Sequence, residues 1–223
     1  MKRTFLILSI LILSVAFVAA QSVQYNFNSM GGWQSASGNW RVRDGRLCQL
    51  DTKERIAKIN LRVPQSGTVQ YEFNVRYEAG GFEDRMGGFG IHIFADSAHP
   101  GRSWGMGRSY LLWINYDEKA TYGKPGFRAQ VYRSHSHSKM EIIERLDVGL
   151  PTSVLTRENA SVIVPAKIVV NGNTGEVKVY DPVDPTWVYK FNLDGAPGRG
   201  NYVALRTNSL SVSFDDFKVT QLR

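Results

Sequence analysis

Residues 69–77 read Val-Gln-Tyr-Glu-Phe-Asn-Val-Arg-Tyr, apolar and polar in strict alternation. A period of two puts one face in a core and the other in water, which predicts a β-strand. Val23, Tyr25 and Phe27 repeat the pattern near the N-terminus. The same reasoning predicts strands over 40–43, 46–50, 57–63, 89–95, 110–116, 127–133, 142–147, 166–170, 176–180, 187–192, 202–207 and 211–220. Between them lie turn residues: Arg43-Asp44-Gly45, Gln65-Ser66-Gly67 and Asn171-Gly172-Asn173-Thr174-Gly175, the last a strong hairpin signal. No helical period runs through any longer window, and residues 152–160 offer at most one short helical turn. So many short strands without helices predict an all-β fold, a two-sheet antiparallel β-sandwich or jelly roll.

Near the C-terminus the parity slips. Val212 and Phe214 occupy even positions, Phe217 and Val219 odd ones. Both pairs reach one core only if the strand carries a bulge at Asp215-Asp216.

The N-terminus has a different pattern. Met1-Lys2-Arg3 is basic, residues 5–18 are almost wholly apolar, and Val18-Ala19-Ala20 supplies small residues ahead of Gln21. That layout predicts a signal peptide over 1–20, with one domain over 21–223. The apolar run is shorter than the ~20 residues of a membrane helix, and no later stretch approaches that length. The expected address is therefore outside the cytoplasm: periplasm, cell surface or extracellular space, with no membrane span.

Composition agrees with a folded chain: 43% of the 223 residues are hydrophobic and 21% charged. A single cysteine excludes a disulfide framework and a multi-thiolate zinc site. The net charge is +7, but the lysines and arginines are scattered rather than gathered in a stripe, so no nucleic-acid partner is expected. An exported basic surface can meet anionic polysaccharide or an envelope component through long-range attraction, or simply stay solvated.

Phe27, Trp33 and the run Gly38-Asn39-Trp40-Arg41-Val42-Arg43-Asp44-Gly45-Arg46-Leu47 resemble the opening of concanavalin A-like (laminin-G-like) lectin/glucanase domains, with their W-x-V-x-D-G-x-L hairpin. The segments 88–94, 110–115 and 166–172 look like that superfamily's middle strands. Val212-Ser213-Phe214-Asp215-Asp216-Phe217-Lys218-Val219 is similar to its final strand, F-D-[DN]-[FV]-x-V. The resemblance spans nearly all of the chain after residue 20. It implies a curved jelly roll with ligands on the concave sheet or at the loops of one edge, and functions from sugar binding to hydrolysis to structural roles.

Catalytic chemistry is poorly supported. Hydrolases of that superfamily carry roughly E-x-D-x-x-E on one strand. Here Glu72, Asn74, Arg76 and Glu78 stand in its place, without the central acid. Glu83-Asp84 reads as a solvated loop pair, and no G-x-S-x-G elbow occurs. Cys48, beside Leu47 and Leu50, reads as a buried inert thiol. His135 and His137 would need His92 or His99 to complete a metal site. The resemblance makes Asp215 and Asp216 a weak calcium candidate, with a hydrogen-bonded bulge as the plainer reading. No other cofactor is expected.

The central strands are more informative. If Phe89, Ile91 and Ile93 face the core, His92 faces outward. Trp113 and Asn115 follow on the next strand, then Arg128, Gln130 and Tyr132. Rings beside amides and a guanidinium suit carbohydrate, and equally a protein interface. The stretch 96–109, with Trp104 and Met106, would form a cover or rim. The leading expectation is an exported, non-catalytic module that binds carbohydrate or an envelope component through His92, Trp113, Asn115, Arg128, Gln130 and Tyr132. The alternatives are a sheath-like structural subunit of the envelope or of an appendage, with an envelope protein or further copies as partner, and then a glycoside hydrolase.

Overall fold

The computed structural model describes residues 22–81, 87–117, 126–149 and 162–222. The expected signal peptide, the Glu83-Asp84 pair and the helical turn at 152–160 lie outside these residues. No helix among the described residues is long and apolar enough to cross a membrane.

Two antiparallel sheets of eight strands each form a β-sandwich of the jelly-roll type. The first sheet contains β1 (Ser22–Tyr25), β3 (Trp40–Arg43), β4 (Arg46–Gln49), β6 (Thr68–Gly80), β12 (Val164–Asn171), β13 (Glu176–Tyr180), β14 (Val188–Asn192) and β16 (Leu210–Leu222). Its order is β14-β13-β12-β6-β16-β4-β3, with β1 also paired to β16. The second contains β2 (Gln34–Ser37), β5 (Ala57–Ser66), β7 (Gly88–Ala95), β8 (Ser109–Asp117), β9 (Gly126–Ser134), β10 (Met140–Ile142), β11 (Val148–Gly149) and β15 (Arg199–Asn208). Its order is β10-β9-β8-β7-β15-β5-β2, with β11 also on β9.

The alternation in β6 does what its period requires. Val69, Tyr71, Phe73, Val75 and Tyr77 are all buried between the sheets, opposite Ile59, Leu61, Ile91, Ile93, Val203 and Leu205 of the second. The bulge in β16 is present: its register against β6 shifts between Asp215 and Lys218, and Asp216 takes φ 49°. Val212, Phe214, Phe217 and Val219 thereby share the core, where the Phe217 ring stacks on Phe73 and meets Trp33 edge-on. A buried amide ties the layers together. Gln65 of β5 accepts the Tyr71 hydroxyl at 2.6 Å and the Phe94 amide at 2.8 Å, and donates to the Tyr202 carbonyl at 2.8 Å. Burial raises the Tyr71 hydroxyl well above its ordinary pKa, so it stays a donor.

The structure departs from the predicted elements in three places. β2, Gln-Ser-Ala-Ser, has no apolar alternation and exists through its pairing with β5. Phe27 is buried, but β1 ends at Tyr25 and Phe27 takes φ 45°. The strand predicted over 142–147 ends at Ile142, because a 3₁₀ turn at Glu144–Leu146 swings Asp147 back onto β9.

Candidate functional site

The outer face of the second sheet is built on a regular cross-strand grid. One row runs Lys58, Arg206, Gly90, Trp113, Gln130, and the next Asn60, Ala204, His92, Leu111, Tyr132. Asn115 pairs with Arg128 one step further along. The six residues predicted from sequence therefore do share one face of three adjacent strands.

That face is not open, however, and here the structure corrects the sequence reading. His92 is 0% exposed, Trp113 6%, and Arg128 and Gln130 are buried, so only Asn115 and Tyr132 keep part of their surface. Residues 96–108 cross the face as a strap. Its base is closed by the Asp96 amide on the Arg108 carbonyl and by the Arg108 amide on Asp96 Oδ1. Four outer-face side chains, Lys58, Asn60, Arg206 and Ser134, hold the rest, Ser134 Oγ by accepting the Met106 amide and donating to the Gly107 carbonyl. Lys58 Nζ donates to the carbonyls of Ser103 and Gly105 and to Ser103 Oγ at 2.5–3.2 Å. Asn60 Nδ2 reaches the His99 carbonyl at 3.1 Å, and Arg206 Nη1 the Trp104 carbonyl at 2.5 Å. Met106 packs into the space that small Ala95 and Ala204 leave.

Lys58 and Arg206 are buried cations with no acidic partner among the described residues. Burial first, and then the Arg206 charge, lowers Lys58 to about 7, while burial lowers Arg206 to about 10. The same burial, with both cations nearby, holds His92 neutral: its Nδ1 lies 3.1 Å from Ser109 Oγ, and its Nε2 has no hydrogen-bond partner among the described residues. Asn60 Oδ1 and Asn115 Oδ1 are likewise buried without a hydrogen-bond partner among the described residues. Arg128 forms an ion pair with Asp147 and also donates to its carbonyl, so it anchors the turn after β10.

Above this floor lies an aromatic stack. The Trp113 indole rests flat over Gly88 and Gly90, where a β-carbon would collide with its ring. The Arg206 guanidinium lies 5.5 Å from the Trp113 ring centre and 4.7 Å from that of Trp104. Trp104, at the far end of the stack, is 43% exposed. A cation lying over two rings is attracted to both π-faces, and this one also holds the backbone carbonyl of the outer tryptophan. Lys58 and Arg206 are not among the six residues predicted from sequence, although Lys58-Ile59-Asn60-Leu61 and Ala204-Leu205-Arg206 carry the same alternation that locates Trp113.

The remaining candidates resolve into ordinary contacts. Asp215 pairs with Arg46 at 3.6 Å and accepts the Asp216 amide, while Asp216 accepts from Asn74 Nδ2 at 2.7 Å. The calcium candidate is thus a hydrogen-bonded bulge. Glu72 lies 3.9 Å from Lys218, and Glu78 pairs with Arg76 at 2.8 Å, so this acidic string is a charge-matched sheet face. His135 bonds Glu141, whereas His137 accepts the Gly107 amide. Among the described residues no group of three or more metal-ligating side chains converges. The Cys48 thiol is buried, and burial raises its pKa.

No family model matches the sequence, and no curated protein matches it. Solved structures do share its architecture. A CBM66 carbohydrate-binding module from Bacillus subtilis superposes with TM-score 0.58 at 12% identity, over 85% of this chain and 96% of that one. The CBM2 module of the evolved Dit of Lactobacillus casei BL23 phage J-1 gives 0.56 at 11%, over 92% and 98%. A Bacillus subtilis protein of unknown function with a galectin-like fold gives 0.54 at 10%, over 89% and 94%. At such identities the likeness is one of fold: a jelly-roll β-sandwich.

Proposed function

We propose that this protein is an exported, non-catalytic carbohydrate-binding module, and that the sugar stacks on the exposed face of Trp104. The observation that carries this reading is the Trp104–Arg206–Trp113 stack, which presents a half-open indole in a fixed orientation above a polar sheet face. An immobilised ring loses little conformational entropy when a sugar's C–H face covers it. Of the predicted residues, Tyr132 and Asn115 are partly exposed, while His92, Trp113, Arg128 and Gln130 support the platform from beneath. Neighbours of this fold named as carbohydrate-binding modules support the same reading. The signal-like residues 1–20 support export to the periplasm, cell surface or extracellular space.

The test is retention in gels cast with soluble polysaccharides, followed by titration of whatever is retained. Trp104→Ala is expected to weaken binding at least about tenfold, or ~1.4 kcal/mol, while the variant still unfolds in one cooperative transition. Trp187→Ala, which removes a 69% exposed indole on the first sheet, should bind normally. A folded Trp104→Ala protein that binds as tightly as the parent overturns the proposal.

The second reading is the envelope structural subunit, and one observation favours it. Among the described residues β14 is a free sheet edge, and Val183, Trp187 and Tyr189 beside or on it are 89%, 69% and 56% exposed. Apolar rings along an unpaired edge suit a protein partner. On this reading Trp187→Ala disrupts assembly while Trp104→Ala does not.

A further inference from the structure

We propose that the protein carries a second site, for the carboxylate or sulfate groups of an acidic polysaccharide, in an arginine-lined cleft at one end of the sandwich. The cleft has a volume of about 330 Å³, within the usual range for small-ligand sites. It opens between the start of β8, the end of β9 and the turn that leads into β15. Phe94 and Tyr110, both buried, form part of its lining, and Arg108, Arg133 and Arg199 stand at its mouth.

Charge is unbalanced there. Asp96 is the one acid among the lining residues, against three guanidinium groups. Arg108 is held by its Nε, 3.0 Å from Asp96 Oδ2, and Arg133 by its Nη1, 3.2 Å from Asp194 Oδ2. Asp194 is itself fixed, since its Oδ1 accepts the Tyr110 hydroxyl at 2.9 Å. Each of these arginines is therefore oriented through one nitrogen, and its remaining N–H groups are not used by any described residue. Arg199, the first residue of β15, is exposed and makes no side-chain hydrogen bond or ion pair with a described residue. Planar forks of this kind match carboxylate and sulfate oxygens in pairs, with charge assistance that an ammonium group cannot reproduce geometrically. The net charge, +7 over the full sequence and +5 without Lys2 and Arg3 of the signal-like segment, adds long-range attraction for a polyanion. The volume admits a single charged sugar ring rather than a protein element, which points to one residue of a chain passing the open end.

Asp96 and Arg108 close the base of the strap, whereas Trp104 sits at its far end, so the cleft is a separate site. Its test is independent of the Trp104 platform. The probes are polygalacturonate and dextran sulfate, with neutral dextran as control, titrated calorimetrically at low salt and again at about 0.3 M NaCl. Saturable binding of at least one polyanion is expected, weakened about tenfold in Arg199→Gln and lost in Arg199→Glu. Arg41→Gln, an equal charge loss on the outer face of the first sheet, should stay within about twofold. Response to polygalacturonate alone assigns the carboxylate, to dextran sulfate alone the sulfate, and to both a general anion fork. No saturable binding of either polymer overturns the proposal, and so does an Arg41→Gln loss equal to that of Arg199→Gln.

Discussion

Gly90→Ala should lower the unfolding midpoint by about 10 °C, the counterpart of roughly 3 kcal/mol for a chain of this size. The reason is backbone, not side chain. A β-carbon at residue 90 would run into the Leu112 carbonyl across the β7–β8 ladder and come within 2.9 Å of Trp113 Cε3. A side chain can rotate away from such a collision, but a paired carbonyl can move only if the two strands separate. Trp113 would also be lifted from its bed, so near-ultraviolet circular dichroism should lose intensity together with stability. Gly45→Ala supplies a measure of simple glycine replacement, since nothing lies within 4 Å of a β-carbon there and its φ of 70° leaves only conformational strain. A Gly90→Ala protein as stable as Gly45→Ala would show that the β7–β8 spacing is not set by this contact.

The second large effect is a pH dependence written into the strap. Lys58 is fully buried and titrates at about 7, against an ordinary value near 10.5, because burial and the neighbouring Arg206 disfavour its charge. The unfolded chain therefore binds one more proton than the folded one between these two values. Stability gained through this group must rise as pH increases from about 7 towards 10, by about 5 kcal/mol at the limit, and is absent below 7 where both states are charged. Lys58→Met removes the titration while keeping most of the side-chain volume. The stability difference between parent and variant should thus widen in the parent's favour from pH 6 to pH 9.5, as read by urea unfolding at each pH. Parallel profiles for the two proteins would refute the assignment.

Much of the fold was legible because the dominant signal, alternation, is local. β6 declared its buried face residue by residue, and the parity slip from Phe214 to Phe217 required the bulge that β16 contains. β2 was illegible for the converse reason: four small or polar residues carry no period, and their conformation is imposed by β5. For the site, parity gave the correct face and the wrong exposure. It showed that His92, Trp113, Arg128, Gln130 and Tyr132 point together, but a facing direction says nothing of what lies above it. The cover is a segment rich in Gly, Ser and Arg, aperiodic in itself, whose path is dictated by Lys58, 45 to 47 residues before its anchor points, and by Arg206, 102 residues after Trp104. Such long-range anchoring leaves no trace in a window of a few residues. The buried cations were the available clue, because a lysine or arginine set on a strand between two core positions must find oxygen somewhere.

The guanidinium held between two indoles also gives the protein an optical handle. Trp113 emits from a dry, rigid setting, whereas Trp104 is partly wetted by solvent, and a charge lies against both chromophores. Anything that settles on the outer ring displaces water from one fluorophore while leaving the other in place. In a Trp187→Ala background, which removes the more exposed indole, occupancy should therefore register as a blue shift of the solvent-sensitive component and as protection of that component from iodide quenching, without any label on the protein.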